Sequence, residues 1–391
     1  MDKFFQLLIC ACFLFTLAGC GSRDTAGPSA EPTATITATA EPTAAAQTTA
    51  EPVKALSKYS TVFMDTFDTV ISLIGYTDSQ ESFNEKAQEV HERYLHLHKL
   101  FDTYNSYEAE GITSIYTVNE RAAEAPVQVD PILFDLLKFA KTYYQLTKGQ
   151  TNIAMGSVLS IWHDYREAGI SDPEHAVLPP MDALQNASGH IDIEKLILDD
   201  ENMTVYFADP ELKLDVGAVA KGYATEIVAQ MLLASDMPSF IISAGGNVRT
   251  GIAPQDGRPN WGVGIQDPDG AVLNNNSIVE TLYLRECSVV TSGDYQRYYT
   301  VDGKNYCHLI DPDTLMPGSY FRSVTIITED SGYADLLSTA AYLMPYEESR
   351  AFIEGLDQVE AIWVFADGSI QMTDGIKPAA KSQGATNSAV N

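Results

Sequence analysis

The chain has 391 residues, enough for one large or two ordinary domains with a sizeable core, and its 45% hydrophobic and 10% aromatic content is that of a globular protein. A formal net charge of -29, from 24 Lys and Arg against 53 Asp and Glu, excludes a nucleic-acid-binding surface, which needs clustered bases. Any phosphate the protein binds must be held by helix termini, a few local bases or a metal ion.

Met1-Asp-Lys precedes an apolar run, Phe4–Leu17, that ends in Leu17-Ala-Gly-Cys20. The run falls short of the roughly 20 apolar residues of a membrane span, and its small-residue ending marks residues 1–19 as a signal peptide. Leu-Ala-Gly-Cys resembles a bacterial lipoprotein processing site, whose Cys is acylated and becomes the new N-terminus. Cys20 is therefore the expected lipid attachment point, with palmitate among the acyl chains. The expected location is the extracytoplasmic face of a bacterial cell membrane.

Residues 20–58 read as a disordered tether, rich in Ala, Thr, Pro and Glu, with Ala-Glu-Pro recurring at Ala30, Ala40 and Ala50. Fully extended, such a tether reaches about 100 Å. Of the five cysteines, Cys10, Cys12 and Cys20 belong to this N-terminal part. Cys287 and Cys307 remain for the folded part, as one bridge or as two buried thiols, and no Cys-x-x-Cys spacing suggests zinc.

The folded body is expected over residues 59–377, followed by a polar disordered tail over 378–391. Val62–Thr66 and Val70–Tyr76 read as two short strands, and Ser82–Tyr104 carries apolar residues at helical spacing. The histidines of that helix, His91, His96 and His98, lack the i, i+4 spacing of a helical zinc pair. A second helix is expected at about 131–147. Thr151-Asn-Ile-Ala-Met-Gly then enters an apolar helix, and a loop of mixed polarity covers 164–187. A strand pair at 197–198 and 204–207 leads to Asp215-Val-Gly-Ala-Val-Ala-Lys-Gly-Tyr-Ala-Thr-Glu226, a Gly-Ala turn opening a helix that runs to Leu233. Such a helix start offers backbone N–H groups to an anion, while Gly217 and Gly222 equally suit close packing of the helix on a sheet.

Phe240–Ser243 is a buried strand that breaks into the Gly245-Gly246 turn, where backbone can approach a ligand closely. Strands follow at 261–265, 278–284, 288–291 and 324–327, then a helix at 333–344 and a hairpin at 361–365 and 370–372. Strands and helices without regular alternation indicate α+β.

The chemistry-bearing residues cluster late. Asp335 and Thr339, at i and i+4, put a carboxylate and a hydroxyl on one helix face with Ser338 beside them. These are hard oxygen donors suited to Mg²⁺, or a polar cluster in a first helical turn. His308, before a Leu-Ile-Asp-Pro turn, is a candidate for proton transfer, and Arg297 a candidate phosphate anchor.

Five stretches, Asp215–Ala224, Ser243-Ala-Gly-Gly-Asn, Ser292-Gly-Asp-Tyr-x-Arg-x-Tyr, His308-Leu-Ile-Asp-Pro and Ala334-Asp-Leu-Leu-Ser-Thr-Ala, resemble in order the motifs of the ApbE-like FAD:protein FMN transferases. The resemblance spans about residues 59–377. It implies a single α+β domain of the tunnelling-fold kind that binds FAD as substrate and Mg²⁺ as cofactor, and moves FMN to a Thr or Ser hydroxyl of an acceptor protein with release of AMP. By matching position, Ala218 would give a backbone carbonyl to the metal, with Asp335, Ser338 and Thr339 supplying side chains. Met64, Tyr104, Ala154, Met155, Gly156, Asp215, Lys221 and Ile310 match positions that line the flavin nucleotide site. Asp65 and Asn247 depart from the usual Gly and Asp. An Mg²⁺-dependent FAD pyrophosphatase on the same scaffold, and a lipoprotein that only binds a solute, are the alternatives.

Overall fold

Residues 55–270 and 277–388 are described by this computed structural model. The signal peptide, Cys20 and all but the last four residues of the tether lie outside them. The chain opens with a hairpin, β1 (Ser57–Thr66) and β2 (Thr69–Thr77), so folded structure starts two residues before the expected boundary. Its register shifts between Phe63 and Thr66, a bulge that carries Met64 and Asp65. There Asp65 turns outward to His91 Nε2 at 2.8 Å.

Helix α1 (Gln80–Phe101) buries its expected apolar face and ends on Asp102. Helix α2 (Ile115–Arg121), β3 (Val127–Gln128) and α3 (Pro131–Tyr143) follow, and Pro131 sits where its missing N–H costs nothing. Helix α4 (Gly156–Ser171) runs well into the expected loop, and α5 (Met181–Ala187) closes it. The polar stretch after Trp162 stays helical because only one side of α4 has to be apolar. The pair β4 (Leu196–Asp199) and β5 (Thr204–Phe207), joined by β3, forms a small sheet before α6 (Ala220–Leu233).

The remaining chain supplies β6 (Phe240–Ala244), β7 (Asn247–Thr250), β8 (Trp261–Gln266), β9 (Ile278–Leu284), β10 (Ser288–Gly293), β11 (Tyr298–Val301), β12 (Lys304–Cys307), β13 (Ser323–Thr328), α7 (Ser331–Leu343), α8 (Tyr346–Glu354), β14 (Glu360–Val364) and β15 (Ile370–Met372). The central sheet is antiparallel, in the order β1-β2-β6-β7-β10-β13-β14-β15. Its side chains alternate between two cores. Val290, Ile326, Ala361 and Trp363 face the core of α1, α6 and α7, whereas Val289, Ile327 and Ile362 face the β8–β9 hairpin. The expected α+β single domain is thus a sheet with helices on one face and a hairpin on the other.

The expected disordered tail is corrected by the structure for its described part. Within the tail, Ala380 is 0% exposed in the hairpin-side core and bridges Leu282, and the Ser382 hydroxyl bonds the Glu280 carboxylate; Ile376, 3% exposed and just before the tail, packs in the same core. Two apolar anchors in a polar segment are enough to hold it down. The expected strands do not include the β11–β12 hairpin, which packs against α4 in a third, small core. Cys287 and Cys307 are free thiols, half-buried and buried, and form no bridge.

Candidate functional site

One wall of the site is the crossing of α6 and α7. Asp330 caps α7 by accepting from Tyr333 N, so Asp335 lies beyond the first turn rather than at the helix start. It is 4% exposed, and its Oδ2 accepts the Gly222 N–H at 2.7 Å. The helices meet this closely because Gly222 has no side chain: a Cβ there would lie 2.3 Å from Ser331 O and 2.4 Å from Asp335 Cβ. Gly222 thus serves packing on a helix, not on a sheet. The anion-receptive start of α6 is largely filled from within, since Gly217 N donates to Asp215 Oδ1 at 2.8 Å and Ala220 N to Val216 O at 2.8 Å.

This wall is braced from behind. Glu226 Oε2 accepts both Ser331 N at 2.8 Å and Arg249 Nε at 3.2 Å, and Arg249, 1% exposed, donates on to Thr250 O. Ser338 is fully buried, and its hydroxyl donates to Asp335 O and meets Ser292 Oγ at 2.8 Å, so it supports the Asp335 turn. Thr339, 7% exposed, follows one turn after Asp335, and Ala218 sits two residues before α6.

Burial pushes the Asp335 carboxyl pKa up, opposed by Lys221 Nζ at 3.9 Å, the Gly222 N–H and the Asn247 amide. Asn247 Nδ2 completes no hydrogen bond, so it acts as a nearby dipole. A buried carboxylate whose charge is only partly offset fits a bound cation. Among the described residues no three His, Cys, Asp or Glu side chains converge as a metal cluster. One carboxylate with hydroxyl and carbonyl oxygens suits Mg²⁺, which keeps several waters, better than zinc.

The other wall is an arm on its own core. Residues 153–156 run along 213–215: Asp215 N donates to Ile153 O at 2.9 Å, Gly156 N to Lys213 O at 3.0 Å, and Met155 bridges Lys213. A Cβ on Gly156 would stand 2.6 Å from Lys213 O. This brings the expected Ala154, Met155, Gly156 and Asp215 together. Met155 and Ile310 share the small core with Trp162, Val158 and Tyr299, and Trp162 Nε1 donates to Leu315 O at 2.9 Å.

Between the walls lies a row of bases. His308 Nδ1 faces Arg297 O at 3.2 Å, and since a carbonyl only accepts, the proton is on Nδ1 and the Nε2 lone pair is available. Burial first, and then the charges of Arg297, Lys221 and Arg166, bring the His308 pKa down to about 3, so it is neutral. Arg297 also donates to Phe67 O at 3.3 Å, in a turn where Phe67 and Asp68 both take positive φ, and Met64 lies on the bulge just before it, 67% exposed. Tyr104, 53% exposed, stacks on His163 with centroids 4.6 Å apart, and Arg166 Nη2 is 2.9 Å from His163 Nδ1. Burial raises the Asp215 carboxyl pKa, opposed by the Gly217 N–H and by the charges of Arg166 and Arg297.

His163 and Arg166 were not singled out from the sequence, because they lie outside every motif, Arg166 inside the expected loop of 164–187 and His163 just before it. Their i, i+3 spacing on the continuation of α4 was the available signal. The acids of two motifs turn out to be structural: Asp294 pairs with Arg322 at 2.9 Å, and Asp311 Oδ1 accepts Asp313 N at 2.8 Å.

A model of the ApbE family matches residues 65–363. An FAD:protein FMN transferase of Treponema pallidum is 33% identical over 278 residues, 68% of this chain and 74% of that protein. One of Klebsiella pneumoniae is 29% identical over 253 residues, 64% of this chain and 75% of that protein. The crystal structure of the ApbE protein of Thermotoga maritima superposes with a TM-score of 0.72 at 27% identity, covering 83% of this chain and 99% of that one.

Proposed function

The chain belongs to the ApbE family and is an FAD:protein FMN transferase, and we propose that it carries FMN from FAD to a Thr or Ser hydroxyl of an acceptor protein in an Mg²⁺-dependent reaction. The observation that supports this best is the pairing of a buried, undercompensated Asp335 with a row of bases, Lys221, Arg297 and Arg166, in a chain of net charge -29.

Asp335, Thr339 and the Ala218 carbonyl would hold Mg²⁺, which when bound neutralises phosphate charge and stabilises the departing phosphate. In the reaction the acceptor hydroxyl oxygen bonds to the FMN phosphorus, the P–O bond to the AMP phosphate breaks, and AMP leaves with that electron pair. The hydroxyl proton goes to His308 Nε2. A base with a pKa near 3 is weak; burial is the main cause, and a bound phosphate would offset the smaller part due to Arg297, Lys221 and Arg166. Lys221 offsets negative charge beside Asp335, and Met64, Tyr104, Met155 and Ile310 give the flavin an apolar and aromatic surround.

We propose further that the protein is held at the membrane through lipidated Cys20. Among the described residues no helix is long and apolar enough to span a bilayer. Cys20→Ala should move the protein from the detergent phase to the aqueous phase, and retention in the detergent phase contradicts the anchor.

The enzymatic reading is tested by measuring AMP release from FAD and Mg²⁺ with and without a candidate acceptor. Release that depends on the acceptor supports the transferase, release without it supports the pyrophosphatase, and no release with FAD bound supports a binding protein.

A further inference from the structure

Arg166 and Arg297 lack a close carboxylate, as does Arg285, whose partner is its chain neighbour Glu286 at 3.8 Å, but only these two bear on Asp215 and His308. Arg121, Arg258, Arg322 and Arg350 each hold a carboxylate at 2.6–2.9 Å. Arg166 has only Glu167, its chain neighbour, at 3.6 Å, with a side chain 52% exposed, and among the described residues Arg297 has no carboxylate within ion-pair distance. In a chain with 53 acids, two arginines without a carboxylate in ion-pair contact, both near Asp215 and His308, bring positive charge together at one place.

The local structure holds Arg166 there. Leu159, His163 and Arg166 fall on one side of α4 at i, i+4 and i+7. Arg166 can only donate, so His163 Nδ1 accepts and the His163 proton is on Nε2. A neutral acceptor orients the guanidinium without cancelling its charge. Tyr104 stacks on the His163 ring, with its hydroxyl 3.4 Å from the same Nδ1.

We propose that Arg166 and Arg297 form a second anion subsite, separate from the Asp335 corner, that holds a phosphate of the dinucleotide, with His163 as the positioning residue for Arg166. This rests on the flavin-transferase reading. Guanidinium groups suit the site because their planar fork bonds two phosphate oxygens at once. The two ends of a pyrophosphate would then be handled differently, one beside Asp335 and Lys221, the other by guanidinium groups.

The test measures binding of FAD, ADP and riboflavin to the full chain with Mg²⁺, for wild type, Arg166→Gln and Arg166→Lys. Arg166→Gln should weaken FAD and ADP by about tenfold or more and leave riboflavin within about twofold, with partial recovery in Arg166→Lys. His163→Ala should raise KM for FAD at nearly constant kcat, and His163→Gln, whose carbonyl can accept the same hydrogen bond, should restore it. Equal weakening of FAD and riboflavin, or no change in either, overturns the subsite while leaving the transferase reading intact. A wild type that does not bind FAD overturns both.

Discussion

The two walls of the site are built to different standards. On the α6–α7 wall every residue of α7 except Tyr333 is buried, Gly222 lets the helices touch, and the Glu226–Arg249 pair fixes the start of α7. On the arm, α4 buries only Gly156, Val158, Trp162 and Gly169, and rests on a small core of its own. The lesson is a division of labour: the group that holds a metal is fixed by dense packing, while the groups that meet a large substrate sit on a lightly packed element that can adjust to it.

The largest expected effect tests the packed wall. Asp335→Asn keeps an acceptor for Gly222 N but removes the charge, so AMP release should fall at least about a hundredfold while the fold survives. Asp335→Ala is the harsher change. It leaves a buried N–H unpaired, and should cost about 1–3 kcal/mol in denaturant unfolding rather than the smaller cost of a lost helix cap.

Next, matched glycine substitutions separate the walls. Gly222→Ala forces α6 away from α7, and should destabilise by about 1–3 kcal/mol and weaken Mg²⁺ dependence. Gly156→Ala strains the arm against Lys213 O, and should raise KM for FAD while leaving the Mg²⁺ requirement unchanged. Matching effects of both on metal and flavin would erase the distinction.

A smaller effect is expected of Trp162→Phe, which loses the bond to Leu315 O at a cost of about 1 kcal/mol and loosens the arm, raising KM for FAD with kcat little changed.

The smallest effect is a pH dependence. The His308 pKa falls from 6.5 to about 3 on folding, so between those values the unfolded chain binds the extra proton. The stability this depressed pKa represents is present above about pH 6.5 and is lost as pH falls toward 3. Asp215 and Asp335, whose pKa values are raised, titrate alike in both proteins and drop out of the comparison. On acidification from about pH 7 to about pH 4.5, wild type should therefore lose more Tm than His308→Asn. Equal losses would contradict a half-buried, neutral His308.

What could be read beforehand follows the same division. The packed wall is written locally: Asp335 and Thr339 share one helix face, Gly222 lies one residue past Lys221, and the strands alternate with period two. The arm is not, because its parts meet only in three dimensions. Tyr104, His163 and Arg297 come from three separate segments, and His163 and Arg166 lie in a polar stretch with no apolar periodicity to mark it as helix. The same blindness made the C-terminal segment look like a tail, since Ile376 and Ala380 are anchors only against Leu282 and Met372.

The central claim is that this site joins FMN to a protein. Mass spectrometry of a candidate acceptor, incubated with the full chain, FAD and Mg²⁺, tests it most directly. The account predicts one added FMN, less the elements of water, on a Thr or Ser, with one AMP released per modified acceptor and neither product with Asp335→Asn. An unmodified acceptor alongside stoichiometric FMN and AMP would contradict it.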